Sequence, residues 1–389
     1  MKTATIKRGN ETQEAGEYGM SRVVVGMSGG VDSAVTAYLL KEAGHEVIGV
    51  TLKTWMGEDS RCCEMTDARE MALRMGVTHY VRGAAEDFRR LVACPFIDEY
   101  LSGRTPNPCV DCNRHVKWAA LLAAADEFGA AYVATGHYAR IERLANGRYA
   151  IRRGASVRKD QSYVLYQLTQ EQLARTLLPL GGYEKEEVRA IAERAGLSAA
   201  QKPDSQEICF VTEGSYADYI ERAIGKELPS GNFVDEEGNV LGQHKGVAHY
   251  TIGQRKGLGL ALGAPAYVTR IDAEKNEVVI GGEPSLYRSS IACGDLHFMG
   301  VAGLSLGETM RAFVKIRYNH KGAPATLEKS GDDTLTVTFD SPVRAPTPGQ
   351  SAVFYDEAGY ILGGGKIRRE APEGFTNYKF LEIPYKNFS

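Results

Sequence analysis

The residues with the clearest chemical potential in this sequence form a short segment of glycines and small polar side chains. Residues 26–33 read Gly-Met-Ser-Gly-Gly-Val-Asp-Ser, and they follow the apolar, β-branched run of residues 23–25. A helical pattern begins directly after them, so the sequence predicts a strand, a glycine turn and a helix. Adjacent glycines let a ligand approach the main chain, and the N–H groups at a helix start attract anions. The segment is therefore predicted to bind phosphate.

The glycine spacing argues against two common nucleotide-binding loops. A lysine-containing phosphate loop needs a lysine directly after its last glycine, whereas Val31 follows Gly30 here. The dinucleotide pattern G-x-G-x-x-G fails as well, because the glycines fall at 26, 29 and 30. The pattern S-G-G-x-D-S instead resembles the loop of ATP-using enzymes that adenylate a substrate and release pyrophosphate. That resemblance implies that Asp32 lies near the phosphates and their magnesium ion.

Seven cysteines are the second chemical feature, and an odd number in a long chain favours thiol or metal chemistry over structural disulfides. Cys109 and Cys112 have C-x-x-C spacing in a proline-rich segment that is predicted to be a loop, and Cys209 stands apart. Structural zinc needs four ligands, and the adjacent Cys62 and Cys63 would chelate one tetrahedral ion poorly. A thioredoxin-like pair needs a helix start, which a proline-rich loop does not offer.

The remaining interpretations are a core role and sulfur transfer. Cysteine is often a small buried residue, which suits Cys94 and Cys293 better than cysteines flanked by Asn, Pro, Asp and Gln. An adenylated oxygen is a good leaving group, and a thiolate or persulfide is a good nucleophile at neutral pH. In that scheme one cysteine carries the incoming sulfur, and a second attacks the persulfide and frees the product, leaving a disulfide. Sulfur transfer explains the ATP loop and the loop cysteines together.

The elements that must position these residues alternate between strand and helix over the first half of the chain. That alternation predicts an α/β fold with a Rossmann-like parallel sheet, which binds ligands beyond the carboxyl ends of its strands. Later, short strands and glycine turns predict a small β-rich domain and then a closed β-barrel. The predicted divisions are a disordered tail at 1–20, an ATP-binding catalytic domain at 21–210, a central domain at 211–287, a barrel at 288–370 and a tail at 371–389.

Composition narrows the class of protein. The chain has 389 residues, of which 43% are apolar and 24% charged, as expected for a globular protein of two or three domains. No apolar stretch is long enough to span a membrane, and the polar first residues lack the apolar core of a signal peptide, so a cytoplasmic location is expected. The net charge of −3 gives no global sign of a nucleic-acid partner, so an RNA-binding surface must rest on local patches.

Eight motifs run in one order along the chain. They are Gly-Met-Ser-Gly-Gly-Val-Asp-Ser at 26–33, Gly-Arg-Thr-Pro-Asn-Pro at 103–108 with Cys-Asn at 112–113, Thr-Gly-His-Tyr-Ala at 135–139, Lys-Asp-Gln-Ser-Tyr at 159–163, Asp-Ser-Gln-Glu-Ile-Cys-Phe at 204–210, His-Tyr-Thr-Ile-Gly-Gln-Arg-Lys-Gly at 249–257, Arg-Tyr at 317–318 and Pro-Gly-Gln at 348–350. Together they resemble the tRNA-specific 2-thiouridylases of the MnmA type, in the PP-loop ATP pyrophosphatase superfamily. The resemblance implies an adenine nucleotide alpha hydrolase-like first domain.

The resemblance also implies a reaction. ATP adenylates O2 of the wobble uridine of tRNA, and persulfide sulfur replaces that oxygen, giving 2-thiouridine, AMP and diphosphate. Cys112 matches the catalytic nucleophile and Cys209 the cysteine that holds the persulfide, and the two form a disulfide in turnover. The implied ATP-binding residues are Gly26, Met27, Ser28, Gly29, Gly30, Val31, Asp32, Ser33, Leu52 and Gly136. Magnesium accompanies ATP, and a persulfide carrier protein or cysteine desulfurase supplies the sulfur.

The tRNA substrate has its own implied contacts. Those to the target base are Asn107, Pro108 and Cys109, and those to the rest of the tRNA are His137, Lys159, Asp160, Gln161, Arg317, Tyr318 and Gln350. A base in a stacked anticodon loop must be turned out before its C2 edge can be reached, and the proline-rich loop is the predicted receiver. Basic stretches within residues 140–159 and 311–321 are either the RNA path or solvated charged faces.

One position departs from the family pattern. Many members have an aspartate where this sequence has Cys109, which leaves open what replaces that carboxylate, Asp111 included. The departure also allows the hypothesis that Cys109, Cys112 and Cys209 bind an iron–sulfur cluster with one open iron for sulfur. Cys62 and Cys63 are left without a clear role.

Two other functions are weighed against this one. The first is another adenylating enzyme of the same loop class, such as an amidotransferase-type synthetase or argininosuccinate synthase, whose acceptors are small molecules. It explains neither the paired loop cysteines nor the basic barrel. The second is an RNA-binding protein with a vestigial nucleotide site, against which the intact Ser28, Asp32, Ser33, Cys112 and Cys209 argue.

Overall fold

The structure is a computed structural model that describes residues 20–54, 65–197 and 208–369, and the backbone of two short strands before them. These strands, β1 (Ile6–Arg8) and β2 (Glu11–Gln13), pair antiparallel. Six residues of the predicted disordered tail therefore have regular structure, because their backbone groups pair with each other. The other residues before Met20, Cys62 and Cys63, residues 204–207 of one motif and the tail at 371–389 lie outside the described residues.

A five-stranded parallel sheet forms the centre of the first domain. The strands of the sheet are β3 (Arg22–Gly26), β4 (Glu46–Lys53), β5 (Thr78–Gly83), β6 (Tyr132–Ala134) and β9 (Thr176–Leu177). A hairpin of β7 (Ala139–Arg143) and β8 (Tyr149–Arg153) lies between β6 and β9 in the chain. The sheet order is β5-β4-β3-β6-β9, and β7 pairs with β8 as the predicted hairpin. Val23, Val24 and Val25 of β3 are fully buried, as expected for a central parallel strand covered on both faces.

The first domain also contains helices, and the first, second and sixth of them pack against the sheet. They are α1 (Val31–Glu42), α2 (Met65–Arg74), α3 (Ala85–Phe88), α4 (Cys94–Leu101), α5 (Pro108–Asp111), α6 (Trp118–Glu127), α7 (Gln170–Ala174) and α8 (Lys185–Arg194). The crossover from β3 through α1 to β4 places the start of α1 at the carboxyl edge of the sheet. That edge is where an open parallel sheet binds its ligands.

The C-x-x-C segment is helical, so its prediction as a loop was wrong. Helix α5 starts at Pro108 and continues through a π-helical stretch, Cys112–Lys117, into α6. Proline fits the first helical position, where its missing N–H has no intrahelical partner. Asn107 caps the helix, because its side-chain oxygen accepts a hydrogen bond from the N–H of Cys109.

The second half of the chain is β-rich, as predicted. After α9 (Tyr216–Ile224), the strands β10 (Gly231–Val234), β11 (Val240–His244), β12 (Tyr267–Asp272) and β13 (Glu277–Gly281) form one sheet. A closed barrel follows, built from β14 (Tyr287–Phe298), β15 (Thr309–Lys315), β16 (Ala323–Gly331), β17 (Thr334–Arg344), β18 (Ser351–Tyr355) and β19 (Ile361–Ile367). The predicted fold class is confirmed. Within the described ranges, no helix has both the length and the apolar character needed to cross a bilayer.

Candidate active site

The glycine loop joins β3 to α1 in the geometry that the sequence predicts. Gly29 has a φ of 79°, a left-handed conformation that favours glycine. Ser33 donates a hydrogen bond to the carbonyl of Gly30 at 2.9 Å, and its oxygen accepts one from the N–H of Ser28 at 3.2 Å. No side chain caps α1, whose N-cap residue is Gly30. The loop therefore curls around a helix start that is suited to an anion.

Asp32, the second residue of α1, bonds to side chains from two distant segments of the chain. The Nζ of Lys185, the first residue of α8, lies 2.8 Å from each oxygen of the Asp32 carboxylate. The hydroxyl of Tyr138 donates to the same carboxylate at 2.6 Å. Gly136 passes so closely that a Cβ there would lie 2.8 Å from the Asp32 backbone carbon. Two distant segments of the chain, residues 136–138 and the start of α8, thus meet at Asp32.

The other predicted ATP-binding residues lie at the same edge of the sheet. Leu52 is buried near the carboxyl end of β4, and Gly26 ends β3. Met27 is buried and donates its backbone N–H to the carbonyl of Val50 at 2.9 Å. This arrangement brings residues 26–33, Leu52 and Gly136 to the carboxyl ends of neighbouring strands, as an adenine nucleotide site requires.

The catalytic cysteine candidates meet at one hydrophobic cluster. Cys112 is 5% exposed and belongs to a cluster with Phe96 and Phe210, against which the half-buried Cys209 also packs. Cys109 is exposed at the start of α5. The structure therefore brings the two predicted reaction partners to the same cluster and presents the third cysteine at the surface. No disulfide bond joins the five cysteines that lie in the described ranges.

The iron–sulfur hypothesis is not supported by this geometry. Among the described residues, no three His, Cys, Asp or Glu side chains form a group that could hold a metal ion. Cys109, Cys112 and Cys209 all lie in described ranges, so the test applies to them. The physical reason is their distribution, because Cys109 faces solvent while Cys112 and Cys209 pack into an apolar cluster.

Asp111 faces the barrel rather than solvent. Its carboxylate lies 3.7 Å from the Nζ of Lys366 on β19, and its side chain is 17% exposed. Burial raises the pKa of this carboxyl, and the neighbouring Lys366 and His115 offset part of that rise. Asp111 thus links the C-x-x-C helix to the barrel, and its proton is held more tightly than that of an exposed aspartate.

The predicted tRNA contacts near the sheet form internal bonds. The Asp160 carboxylate accepts hydrogen bonds from the N–H groups of Gly154 and Ser162 at 3.2 and 3.1 Å. Gln161 exchanges two hydrogen bonds with the backbone of Tyr138. Burial, with a smaller effect of Lys117, lowers the pKa of His137 to about 3. His137 is therefore a neutral hydrogen-bonding group at physiological pH and not a cation for phosphate.

The predicted tRNA contacts of the barrel also form internal contacts, and Gln350 supports the catalytic segment. The side-chain amide of Gln350 donates to the carbonyls of Thr105 and Pro106 at 2.8 and 3.2 Å. Arg317 donates to the carbonyl of Arg344 at 3.0 Å. Tyr318 packs edge-on against Tyr163, with ring centroids 6.0 Å apart. The turn at 348–350 therefore holds the segment that leads into α5.

Several arginines of the two basic stretches form hydrogen bonds or ion pairs within the protein. Arg148 of the β7–β8 hairpin donates to the carbonyls of Met299 and Phe298 in the barrel domain. On β15, Arg311 forms a bidentate pair with Asp340, with contacts of 2.8 and 2.6 Å. The stretches are therefore partly structural, and the hairpin fastens the first domain to the barrel.

Two residues of this site were missed from the sequence alone. Lys185 opens an amphipathic helix and Tyr138 follows His137 in a motif, and neither position by itself indicates an aspartate partner. The pairing joins residues 153 positions apart, which no local pattern reveals. The only related signal in the sequence is that the glycine loop has no lysine of its own.

Comparison with known families accounts for most of the chain. Three family models match, described as the tRNA methyl transferase HUP domain at residues 21–213, the tRNA methyl transferase PRC-barrel domain at 217–282 and the aminomethyltransferase beta-barrel domain at 288–367. Among solved structures, a 4-thiouridine synthetase–RNA complex with bound ATP aligns over 49% of this chain and 45% of its own, at 16% identity and a TM-score of 0.33. That alignment is too weak to support an argument.

Curated relatives are much closer. The tRNA-specific 2-thiouridylase MnmA of Lachnoclostridium phytofermentans is 50% identical over 358 residues, covering 90% of this chain and 99% of the relative. The protein of the same description from Clostridioides difficile is 46% identical, covering 90% and 98%. Identity at this level over nearly the full length shows common membership, and it confirms the family that the motifs predict. The chain belongs to the tRNA-specific 2-thiouridylase (MnmA) family.

Proposed function

We propose that this protein is an ATP-dependent tRNA 2-thiouridylase, which replaces O2 of a wobble uridine with sulfur and releases AMP and diphosphate. The observation that carries the proposal is the pairing of a pyrophosphate-type loop with two cysteines at one cluster, in a chain 50% identical to a 2-thiouridylase. Neither a small-molecule synthetase nor an inactive RNA-binding protein needs both features. The same pairing supports a sulfurtransferase activity.

The first step is activation of the base. The N–H groups at the start of α1 bind the phosphates of ATP, and Gly136 leaves the space that the main chain needs beside Asp32. The O2 of the turned-out uridine attacks the α-phosphorus, and the bond to the pyrophosphate oxygen breaks. The Asp32 carboxylate is an oxygen donor of the kind that magnesium prefers, and that ion would neutralise phosphate charge. Leu52 and Gly136 line the adenosine side of the site.

The second step is sulfur transfer. The terminal sulfur of a persulfide on Cys209 attacks C2 of the adenylated uridine, and AMP leaves with the former O2. The Cys112 thiolate then attacks the Cys209 sulfur, which frees the thiocarbonyl and leaves a Cys112–Cys209 disulfide. A cellular dithiol reductant restores both thiols. The two cysteines share one cluster, which supports a reaction between them. Cys209 is the more accessible of the pair, which supports its role as the cysteine that receives the sulfur first.

The substrates and partners follow from this chemistry. Asn107, Pro108 and Cys109 at the start of α5 contact the target base, and the surfaces around residues 159–161 and 317–318 contact the anticodon arm. A persulfide-bearing carrier protein or a cysteine desulfurase loads Cys209, whose position at the cluster edge suits delivery from outside. The enzyme acts in the cytoplasm, where its tRNA substrates are.

Exchange of labelled pyrophosphate into ATP tests the activation step. We expect exchange that depends on a tRNA with an unmodified wobble uridine, because the adenylated base forms and reverses only with that acceptor. Cytidine in place of the wobble uridine is the matched control. Exchange that proceeds without RNA, or with a small-molecule acceptor, would contradict the proposed function.

A further inference from the structure

The glycine loop lacks a phosphate-binding lysine of its own, yet a lysine is present at its mouth. Val31 occupies the position after the glycines, so the loop itself offers backbone N–H groups and the Ser28 and Ser33 hydroxyls. Lys185 approaches from α8 and places its Nζ 2.8 Å from both oxygens of Asp32. Because Asp32 is the second residue of α1, the ammonium group lies at the helix start.

The burial of this lysine requires an explanation. Lys185 is only 5% exposed, and a buried ion pair is weak evidence for stability because desolvation cancels much of the attraction. The Asp32 side chain, in contrast, is 32% exposed, so the pair is not sealed from solvent. A buried ammonium group at the start of α1, paired with a partly exposed carboxylate, is positioned for an anion that binds at that helix start.

We propose that Lys185 is the cation of the pyrophosphate subsite, and that its contact with Asp32 is exchanged for phosphate oxygens when ATP binds. This inference rests on the proposed function and deepens it. Negative charge accumulates on pyrophosphate as it leaves, and a fixed cation stabilises that charge. In the nucleotide-free protein, Asp32 neutralises Lys185 and holds it in place. Tyr138 keeps its hydrogen bond to Asp32 and so fixes the carboxylate after the exchange.

Binding of magnesium-free pyrophosphate and of AMP, measured by isothermal titration calorimetry, tests the assignment. The variant Lys185→Met keeps the length of the side chain and removes its charge. We expect its affinity for pyrophosphate to fall about 10- to 100-fold, as for loss of a charge-assisted hydrogen bond, and its affinity for AMP to stay within about 2-fold. Lys41→Met is the matched control, since Lys41 lies in the last turn of α1, at the opposite end from Asp32, and donates to the carbonyl of Met75.

The proposed exchange of Lys185 from Asp32 to phosphate oxygens also predicts a variant with increased pyrophosphate affinity. Asp32→Asn removes the carboxylate that competes for Lys185, so magnesium-free pyrophosphate is expected to bind at least about 3-fold more tightly than in the wild type. The double variant Lys185→Met/Asp32→Asn leaves no unpaired charge, and it is expected to lose that gain. It also serves if Lys185→Met alone fails to fold.

Three outcomes separate the assignment from its alternatives. Equal pyrophosphate affinity in the wild type and Lys185→Met would overturn it. Parallel losses of AMP and pyrophosphate affinity, without a gain in Asp32→Asn, would show a purely structural pair and also overturn it. A wild-type protein that binds neither ATP nor pyrophosphate would refute the proposed function itself, and the inference with it.

Discussion

Cys112 and Cys209 carry the same thiol group in different surroundings, and the difference bears on their roles. Cys112 is 5% exposed within the cluster, whereas Cys209 is half-buried at its edge. In the proposed mechanism the persulfide is loaded from a separate protein, which favours the accessible residue. In the same proposal the buried Cys112 acts later, when the tRNA and the persulfide are already in the site. Cys293 shows the contrasting case, because complete burial in the barrel raises the pKa of its thiol to about 12 and makes it inert.

Replacing Cys209 with serine is expected to separate activation from sulfur transfer. The variant should release pyrophosphate at a rate within about 3-fold of the wild type, because Cys209 takes no part in adenylation, while 2-thiouridine falls at least about 100-fold. Pyrophosphate release and nucleoside mass spectrometry on the same reaction measure the two steps. Cys94→Ser is the matched control, and a normal yield of 2-thiouridine from Cys209→Ser would remove that residue from the mechanism.

The pH dependence of stability is expected to change in Asp111→Asn. Burial raises the pKa of Asp111 in the folded state, so between the ordinary and the raised value the folded protein binds more protons than the unfolded chain. Stability contributed by this group is therefore present at low pH and is lost as the pH rises through the folded pKa. Asp111→Asn removes the ionisable group and therefore this decrease in the free energy of unfolding.

Urea unfolding at pH 3.5 and pH 7 measures the effect. We expect the stability of the variant relative to wild type to increase from the lower to the higher pH. An unchanged or decreasing difference would mean that the contact with Lys366 outweighs burial.

At the scale of the elements, the approach of the β6–β7 connection to α1 shapes the nucleotide site. Gly136 lies directly after the sheet strand β6, and a Cβ there would lie 2.8 Å from backbone of Asp32. Backbone atoms at this distance cannot rotate away as a side chain can. The loop conformation therefore depends on glycine at a position remote from it in sequence.

Gly136→Ala is expected to displace α1 and weaken ATP binding at least about 10-fold, since even a shift of about 1 Å disturbs an oriented site. Gly83→Ala is the matched control, because Gly83 ends the sheet strand β5 and a Cβ there meets no atom of the described residues within 4 Å. Calorimetric titration with ATP measures both variants. Equal affinities in the two would show that the close approach does not shape the site.

The elements also show what the sequence could predict and why the rest escaped. The strand, glycine turn and helix at 22–42 were predicted correctly, because a β-branched run and paired glycines are local signals. Helix α5 was missed, because two prolines indicate a loop unless one of them occupies the first helical position. Lys185 was missed for a different reason, since its bond to Asp32 arises only from the packing of α8 beside α1.

At the scale of the whole molecule, the barrel supports the catalytic segment. Gln350 bonds to the carbonyls of Thr105 and Pro106, and the N–H of Thr105 donates to the carbonyl of Pro348. Lys366 approaches Asp111 from the same domain. A domain expected mainly to contact tRNA therefore also positions the segment that leads to the cysteines.

Gln350→Ala is expected to lower the thiolation rate about 10-fold or more while tRNA affinity changes less than about 3-fold, because the loss is one of positioning. Single-turnover kinetics and filter binding separate the two quantities. Gln243→Ala, at an exposed position on β11, is the matched control. A fall in affinity equal to the fall in rate would instead support the direct tRNA contact that the sequence predicts.

The central claim is the chemistry performed on tRNA, and one measurement tests it most directly. Unmodified tRNA with a wobble uridine is incubated with the protein, ATP, magnesium and a persulfide donor, and its nucleosides are analysed by mass spectrometry. The account predicts a shift of about 16 mass units, sulfur for oxygen, on that uridine alone and only when ATP is present. Formation of AMP without any mass shift on the uridine would contradict the claim and point to a different acceptor.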